Sequence, residues 1–445
     1  MSIAREEIIN ANFKDNRLSE RYVKIVEQVE RIPDMSFPKI IEGWSELKGL
    51  YRFFSNEKVT HKNILHPHKE KTVERCMKEE VVLFVQDTTY LNYSHHPETE
   101  GLGPISSKEN FTGMIVHNGY AISGKDRKPL GLLHQKVMVR KGKVKKQKEG
   151  KKESIKWHEG LKESKKFLRR HKKVIQICDR EADIYFFIKE IVELGQGFVI
   201  RCAWNRKTED GYIFNDIKKM ELRGHTKIKV ERNGNRKERI ANISIKSGML
   251  KILPPKSIDR KGPVLKVNVV IAEEQGPPNK ESKIYWILLT SETIDRKEDC
   301  LEIMRYYQNR WLIEEFHKGL KTGCKIEDRQ LQTREQLEKV LGMFSIICYN
   351  LLLMRYEERK GSIGEIVLNP TQVKFLKIKF KKDIHGKLTA KKLLRFVARQ
   401  GGFIGRKSDG NPGWLTLMRG MCDLIRIEEA YTIGYEQAVE DVGKG

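Results

Sequence analysis

Three acidic residues, far apart in the chain, stand where a carboxylate site would need them. Asp87 closes the apolar run VVLFVQD, and Asp179 closes the apolar run KVIQICD. Glu314 lies in EIMRYYQNRWLIEEFHKGLK, a segment with helical periodicity. Carboxylates that converge repel one another unless cations bind between them. Oxygen ligands alone select hard divalent ions, Mg²⁺ or Mn²⁺, rather than zinc. A pair of such ions can activate an attacking hydroxyl on one side of a phosphate and stabilise the leaving oxygen on the other.

The surroundings of each carboxylate carry further signals. At about 100° per residue from Tyr307, the residues Arg310, Glu314, Lys318 and Lys321 fall within roughly 80° of one another. Tyr306, Leu312, Ile313, Phe316 and Leu320 lie opposite, as a core face. Glu314 can pair with Arg310 and Lys318 at four-residue spacing, which alone is a salt-bridge ladder. The same stripe fits a phosphate-binding face, in which Arg310 and Lys321 offset phosphate charge and one carboxylate holds a metal. In CDREADIYFF, Asp179 can cap a following helix as well as bind a metal. Glu181 and Asp183 complement that helix N-terminus or orient neighbouring groups.

The elements that must position these groups are legible in outline. Residues 1–62 read as short basic helices. Asp15 caps one in which Leu18, Tyr22, Ile25 and Val29 share a face, and Ser36 and Ser45 open two more. From residue 81 the pattern is three strands, a helix, a strand, a helix and a strand. The first three suit an antiparallel meander, and the later strands need crossover helices and so run parallel. Right-handed crossover places KVIQICD beside VVLFVQD, with Asp87 and Asp179 as neighbours at the carboxyl edge. A lysine-rich loop, KGKVKKQKEGKKESIK, lies between them in sequence. Residues 204–295 read as a β-rich insertion with hairpin cues at Asn233-Gly234 and Gly276-Pro277-Pro278. A long helix follows over about 298–322. The domain division expected is 1–62, 63–360 and 361–445.

Composition narrows the function. The net charge is +26 over 445 residues, an excess that favours a polyanionic partner such as nucleic acid. It argues against another carboxylate enzyme such as a glycosidase. The seven cysteines are scattered without a CxxC pair, which fits a reducing cytosol and argues against a zinc ribbon. LGMFSIICYNLLLM (341–354) is too short to span a bilayer and reads as a buried helix, so no membrane partner is expected.

The motifs Asp87-Thr-Thr, Cys178-Asp179-Arg-Glu-Ala-Asp, and Y-x2-R-x3-E-x6-K at Tyr307, Arg310, Glu314 and Lys321 resemble those of bacterial DDE transposases. The likeness is to the IS-four family, Tn-five (IS-fifty) type. It runs from about residue 10 to the C-terminus and includes YRFFSN, GLLHQ, WILLTS and GGFIG. The resemblance implies an RNase H-like mixed-sheet catalytic core with a β-strand insertion. A helical N-terminal domain would read transposon-end DNA, and a mostly helical C-terminal domain would dimerise. It implies that Asp87, Asp179 and Glu314 ligate two Mg²⁺ ions, with Mn²⁺ as a substitute. Tyr307, Arg310 and Lys321 would hold phosphates, with Lys318 on the same face. Trp286 would stack on a flipped base, and Arg201 would touch DNA nearby. The implied reaction is cut-and-paste transposition by nicking, hairpin formation, hairpin opening and strand transfer into target DNA. The alternative is a DNA-binding or inhibitory relative without cleavage. The implied setting is a homodimeric synaptic complex in the bacterial cytoplasm, associated with the nucleoid. One departure is that Asp15-Asn16-Arg17-Leu18 keeps a single arginine where family members often have D-x-R-R.

Overall fold

Apolar spacing and caps build the N-terminal helices α1 (Ile3–Ile8), α2 (Asn16–Arg31), α3 (Phe37–Ile40) and α4 (Trp44–Ser55). Asp15 opens α2 by accepting from the Arg17 backbone N–H at 3.1 Å. Tyr22, Ile25 and Val29 are buried on one face, and Tyr22 stacks on Phe53 at 5.6 Å between ring centroids. Ser45 does not open α4. The helix begins one residue earlier, after Gly43 at φ 84°, a backbone conformation that suits glycine. The computed structural model describes residues 3–106, 110–140, 154–230, 238–255, 262–278, 281–360, 368–386, 388–406 and 409–443. Most of the lysine-rich loop and the Asn233-Gly234 turn lie outside the described residues.

Helix α5 (His61–Cys76), capped by Thr60, joins this bundle to a large sheet. Its contact with the bundle is polar and buried. Arg75 donates to Glu7 at 2.6 Å, and the imidazole of His68 lies 2.5 Å from the same carboxylate. The other ring nitrogen of His68 accepts from Leu132 N at 3.0 Å, so the proton is on the side facing Glu7. Burial pushes the Glu7 carboxyl up, but His68 and Arg75 outweigh it and lower it to about 2.

The sheet begins with β1 (Val82–Asn92), β2 (Gly103–Pro104), β3 (Thr112–Ser123) and β4 (Pro129–Met138). β3 pairs antiparallel with β1, β2 and β4, which is the meander read from the sequence. After α6 (Ile155–Phe167), β5 (Val174–Cys178) lies parallel to β1. After α7 (Tyr185–Glu193), β6 (Gly197–Arg201) lies parallel to β5. This is the strand order of an RNase H-like core. The next segment begins with the short α8 (Ile213–Asp216). It continues through β7 (Glu221–Val230), β8 (Arg239–Ile252), β9 (Leu265–Gln275) and β10 (Tyr285–Thr290). Here the reading of a β-rich insertion needs refinement. The four strands do not form a separate sheet; β10 pairs antiparallel with β6 and extends the core sheet through β9, β8 and β7.

Side chains alternate across a strand, so parity decides which helices each residue meets. Leu83, Val85 and then Asp87 share one face of β1; Ile175, Ile177 and then Asp179 share the same face from β5. The apolar members of both sets join the core that contains Tyr306, Ile313 and Phe316. These three come from α9 (Lys297–Asn309) and α10 (Trp311–Lys318). The opposite face packs on α6 and α7 through Trp157, Leu161, Phe187 and Ile188. Covering both faces is what a parallel centre requires.

Helix α11 (Arg334–Lys360) is long and apolar enough to cross a membrane, but 89% of its apolar window is buried within the protein. It is a core helix, as the apolar run 341–354 suggested. The C-terminal helices are α12 (Pro370–Lys379), α13 (Ala390–Gln400) and α14 (Trp414–Gly443). α13 and α14 approach so closely that a Cβ on Gly420 would lie 1.7 Å from the Val397 carbonyl oxygen.

Candidate active site

The register brings the two aspartates together. Val85 pairs with Ile177 in the parallel ladder, so Asp87 and Asp179 follow two residues later on adjacent strands. Thr88 N donates to Asp87 Oδ1 at 2.8 Å, which fixes that carboxylate at the point where β1 leaves β5. Asp179 Oδ1 accepts from Glu181 N at 2.9 Å. The helix expected directly after Asp179 is absent. A single 3-10 turn, Arg180–Ala182, follows instead, and α7 starts only at Tyr185. Asp179 therefore caps a short turn and keeps a partly exposed edge.

The glutamate arrives on an interrupted helix. The stretch expected as one helix over 298–322 breaks at Arg310 into α9 and α10, then closes in a π-helical turn over Gly319–Gly323. The wider turn means that Lys321 departs from the angular position of a straight α-helix. The apolar side is as expected: Tyr306, Leu312, Ile313, Phe316 and Leu320 are all buried. On the other side, Arg310 Nη1 donates to Asp87 Oδ2 at 3.2 Å, and Nη2 donates to Glu314 Oε1. One guanidinium thus bridges two carboxylates 227 positions apart in the chain (314 less 87).

Electrostatics place the third carboxylate beside them. Burial pushes the Asp87 carboxyl up to about 7; the Arg310 guanidinium opposes this, and the charges of Asp179 and Glu314 add to it. Burial disfavours the Arg310 cation, but Tyr307, Glu314 and Asp87 outweigh it and raise its pKa. Arg310 is therefore a permanent cation set among three acids, and it leaves them short of positive charge. Among the described residues, no three His, Cys, Asp or Glu side chains already gather as a metal cluster. The donor set nevertheless fits a hard divalent ion: all its donors are oxygen, and its charge is incompletely balanced.

The residues expected to contact DNA divide into two groups. Tyr307 is buried, with the Arg310 guanidinium 5.9 Å from its ring centroid and the Trp286 ring edge-on at 5.5 Å. Arg201 lies near the Tyr307 phenol, and its Nη2 donates to Tyr285 O at 2.9 Å. These four side chains form one connected layer at the sheet edge. Lys318 and Lys321 stand apart from it. Lys318 is exposed, and the Lys321 ammonium lies 3.8 Å from Glu327. Lys156 is 3.4 Å from Glu181.

Two features add to the sequence reading. Asp183 is buried and accepts from Ala203 N at 2.6 Å and Trp204 N at 3.1 Å, and it pairs with Arg206 at 2.5 Å. It therefore holds the loop after β6, which is the orienting role of the two read from the sequence, and does not complement a helix N-terminus. Trp311, directly after Arg310, is 50% exposed, so a large aromatic face lies open beside the carboxylates. A helical wheel could have marked it, because it falls on the side of Tyr307.

Three family matches cover residues 1–59 and 131–438. Residues 1–59 match the family described as Transposase DNA-binding, residues 131–351 match Transposase DDE domain, and residues 349–438 match Transposase Tn5 dimerisation domain. The chain belongs to the DDE transposases of Tn5 type. Among solved structures it is similar to a cryo-EM structure of the piggyBac transposase synaptic complex with hairpin DNA. That likeness has 14% identity and a TM-score of 0.39, over 90% of this chain and 74% of that one. Asp179 and Glu314 lie inside the matched DDE segment of this transposase, and Asp87 lies ahead of it. DNA binding and dimer formation follow from the matched segments. DDE transposases generally use divalent metal ions.

Proposed function

We propose that this transposase moves its element by cut-and-paste, with Asp87, Asp179 and Glu314 holding two divalent ions, Mg²⁺ or Mn²⁺. Bound there, the ions would supply activation of the attacking oxygen and charge stabilisation at the leaving oxygen. The observation that carries the reading is the Arg310 bridge, which gathers Asp87 and Glu314 at one point beside Asp179. Before DNA arrives, Arg310 serves as the counter-charge of the site. When a phosphodiester enters, the guanidinium releases one carboxylate and forms a two-pronged contact with the phosphate. Tyr307 supports the guanidinium with its ring and donates its phenol to the same backbone. Lys321 and Lys318 add positive charge along that backbone.

The same site serves four steps, because each is phosphoryl transfer with a different nucleophile. Water frees a 3′ hydroxyl, which attacks the opposite strand and closes a hairpin. Water reopens the hairpin, and the 3′ end attacks target DNA. A hairpin needs an unstacked base, and Trp286 and Trp311 offer aromatic faces beside Tyr307 to receive it. Arg201 holds the adjacent phosphate. The partners are transposon-end DNA, target DNA and a second copy of the chain.

The test is incubation of the full chain with linear DNA carrying the element's own terminal repeats, with Mg²⁺ or Mn²⁺. Nicks with 3′ hydroxyl ends, followed by hairpin-capped fragments, are expected. Cleavage without hairpins would reduce the reading to an endonuclease. Absence of any cleavage with either metal would overturn it.

A further inference from the structure

A buried row of polar side chains crosses the sheet beside the carboxylates. Asn118 on β3 is the direct register partner of Asp87, so both side chains stand on the same face. Gln135 on β4 is in turn the register partner of Asn118. Asn118 Nδ2 lies 2.9 Å from His317 Nε2, on α10, three residues after Glu314. Gln135 Nε2 donates to Asn118 Oδ1 at 2.8 Å and to Ser345 Oγ at 3.0 Å. His61, the first residue of α5, lies 2.9 Å from Gln135 Oε1 through Nε2. Asn118, Gln135, His317 and Ser345 are all buried.

With the amide nitrogens placed as they are, the direction of each bond follows. The Gln135 amide nitrogen is engaged with Asn118 and Ser345, so its oxygen can only accept, and His61 must donate from Nε2. The Asn118 oxygen is taken by Gln135, so its nitrogen donates, and His317 must accept at Nε2. His317 is held neutral: burial, with the nearby Lys321 and Arg310 charges, lowers it to about 3. Within this arrangement no single amide can turn without leaving a neighbour unsatisfied. Buried networks of this kind are rigid when complete and costly when cut.

We infer that Asn118 and His317 are positioning residues that set the distance between the strand carrying Asp87 and the helix carrying Glu314. The row also ties this spacing to α5, through which the DNA-binding segment joins the core. A two-residue link next to each carboxylate fits this task. A helix that slides by a fraction of a turn moves Glu314 while leaving its apolar face packed, and only a directional bond resists that motion. This inference rests on the proposed reading of the three carboxylates.

The test uses the full chain, DNA with its own terminal repeats, and Mn²⁺ as the probe. Asn118→Leu and His317→Phe remove the bond at nearly constant volume. His317→Gln retains an acceptor within reach of the Asn118 amide. Both disrupting variants are expected to lower the cleavage rate at saturating DNA by about 100-fold. They are expected to weaken Mn²⁺ binding, read by calorimetry, by about ten-fold. Their affinity for end DNA stays within about three-fold of wild type, and His317→Gln recovers most of both losses. If Asn118→Leu does not fold, Asn118→Ser replaces it. His317→Gln no better than His317→Phe, or disrupting variants equal to wild type, would overturn the inference alone. A wild-type chain that neither cleaves nor binds Mn²⁺ would overturn the underlying reading as well.

Discussion

Asp87→Asn should make the metal-free protein more stable while destroying its cleavage activity. The Asp87 carboxyl is raised to about 7 by burial and by the charges of Asp179 and Glu314, against the opposing Arg310, from an ordinary value of 3.8. A group whose folded pKa is raised destabilises the fold once it must ionise. Below pH 3.8 both states are protonated and there is no effect. As the pH climbs from about 4 to 7 the unfolded chain loses its proton first, and stability falls. Above pH 7 the cost is constant. At about 1.4 kcal/mol per tenfold change it reaches about 4 kcal/mol, and solvent relaxation reduces it to about 2 kcal/mol. Asparagine is nearly isosteric, stays neutral, and keeps an acceptor for the Thr88 N–H. Thermal unfolding in EDTA at pH 8 should therefore show the variant about 4 °C above wild type. At pH 5 the difference should shrink to less than half. Addition of Mn²⁺ should raise the wild-type transition by ligand linkage and leave the variant almost unmoved. A variant less stable than wild type at pH 8 in EDTA would refute the reasoning, because ionised Asp87 would then not be penalised by its burial and its acidic neighbours.

Other consequences can be checked separately. Glu7→Gln should remove acid sensitivity. The Glu7 carboxyl is lowered to about 2, so its contribution is present above about pH 4.5 and is lost as pH falls through 2. Urea unfolding should show a loss of about 3 kcal/mol at pH 6 that disappears by pH 2. Asp183→Ala should cost about 3 to 5 kcal/mol in chemical denaturation, because it strands Arg206 and two backbone N–H groups of the loop after β6. Lys321→Ala should weaken end-DNA binding and reduce the slope of log affinity against log salt by about one, measured by fluorescence anisotropy. Trp286→Ala should reduce hairpin formation by about ten-fold or more while the first nick continues, and Trp286→Phe should lie between, on denaturing gels.

The parts of this molecule that were legible in the sequence were those governed by local period and strand polarity. Two apolar runs ending in aspartate, separated by a crossover helix, were enough to place Asp87 beside Asp179. The apolar face of α9 and α10 followed from angle alone. Features that depend on partners far along the chain were not legible. Nothing in READIYFF tells that Asp183 meets residues 203–206, or that the helix waits until Tyr185. The bridge made by Arg310 was equally hidden, since its side chain reaches back to a strand over 220 residues earlier. The merging of β7 to β10 with the core sheet was hidden because strand composition does not say which edge a strand joins. Asn118 and Gln135 each read as an unremarkable polar residue within a strand; only the register across β1, β3 and β4 sets them in a row with Asp87.

The central claim is that Asp87, Asp179 and Glu314 act together in one phosphoryl-transfer site. The most direct measurement is cleavage of end DNA by the three single alanine variants, with DNA affinity measured on the same samples. The account predicts that each loses cleavage by at least about 1,000-fold and binds end DNA as wild type does. Cleavage that survives in any one of them, at unchanged affinity, would contradict it.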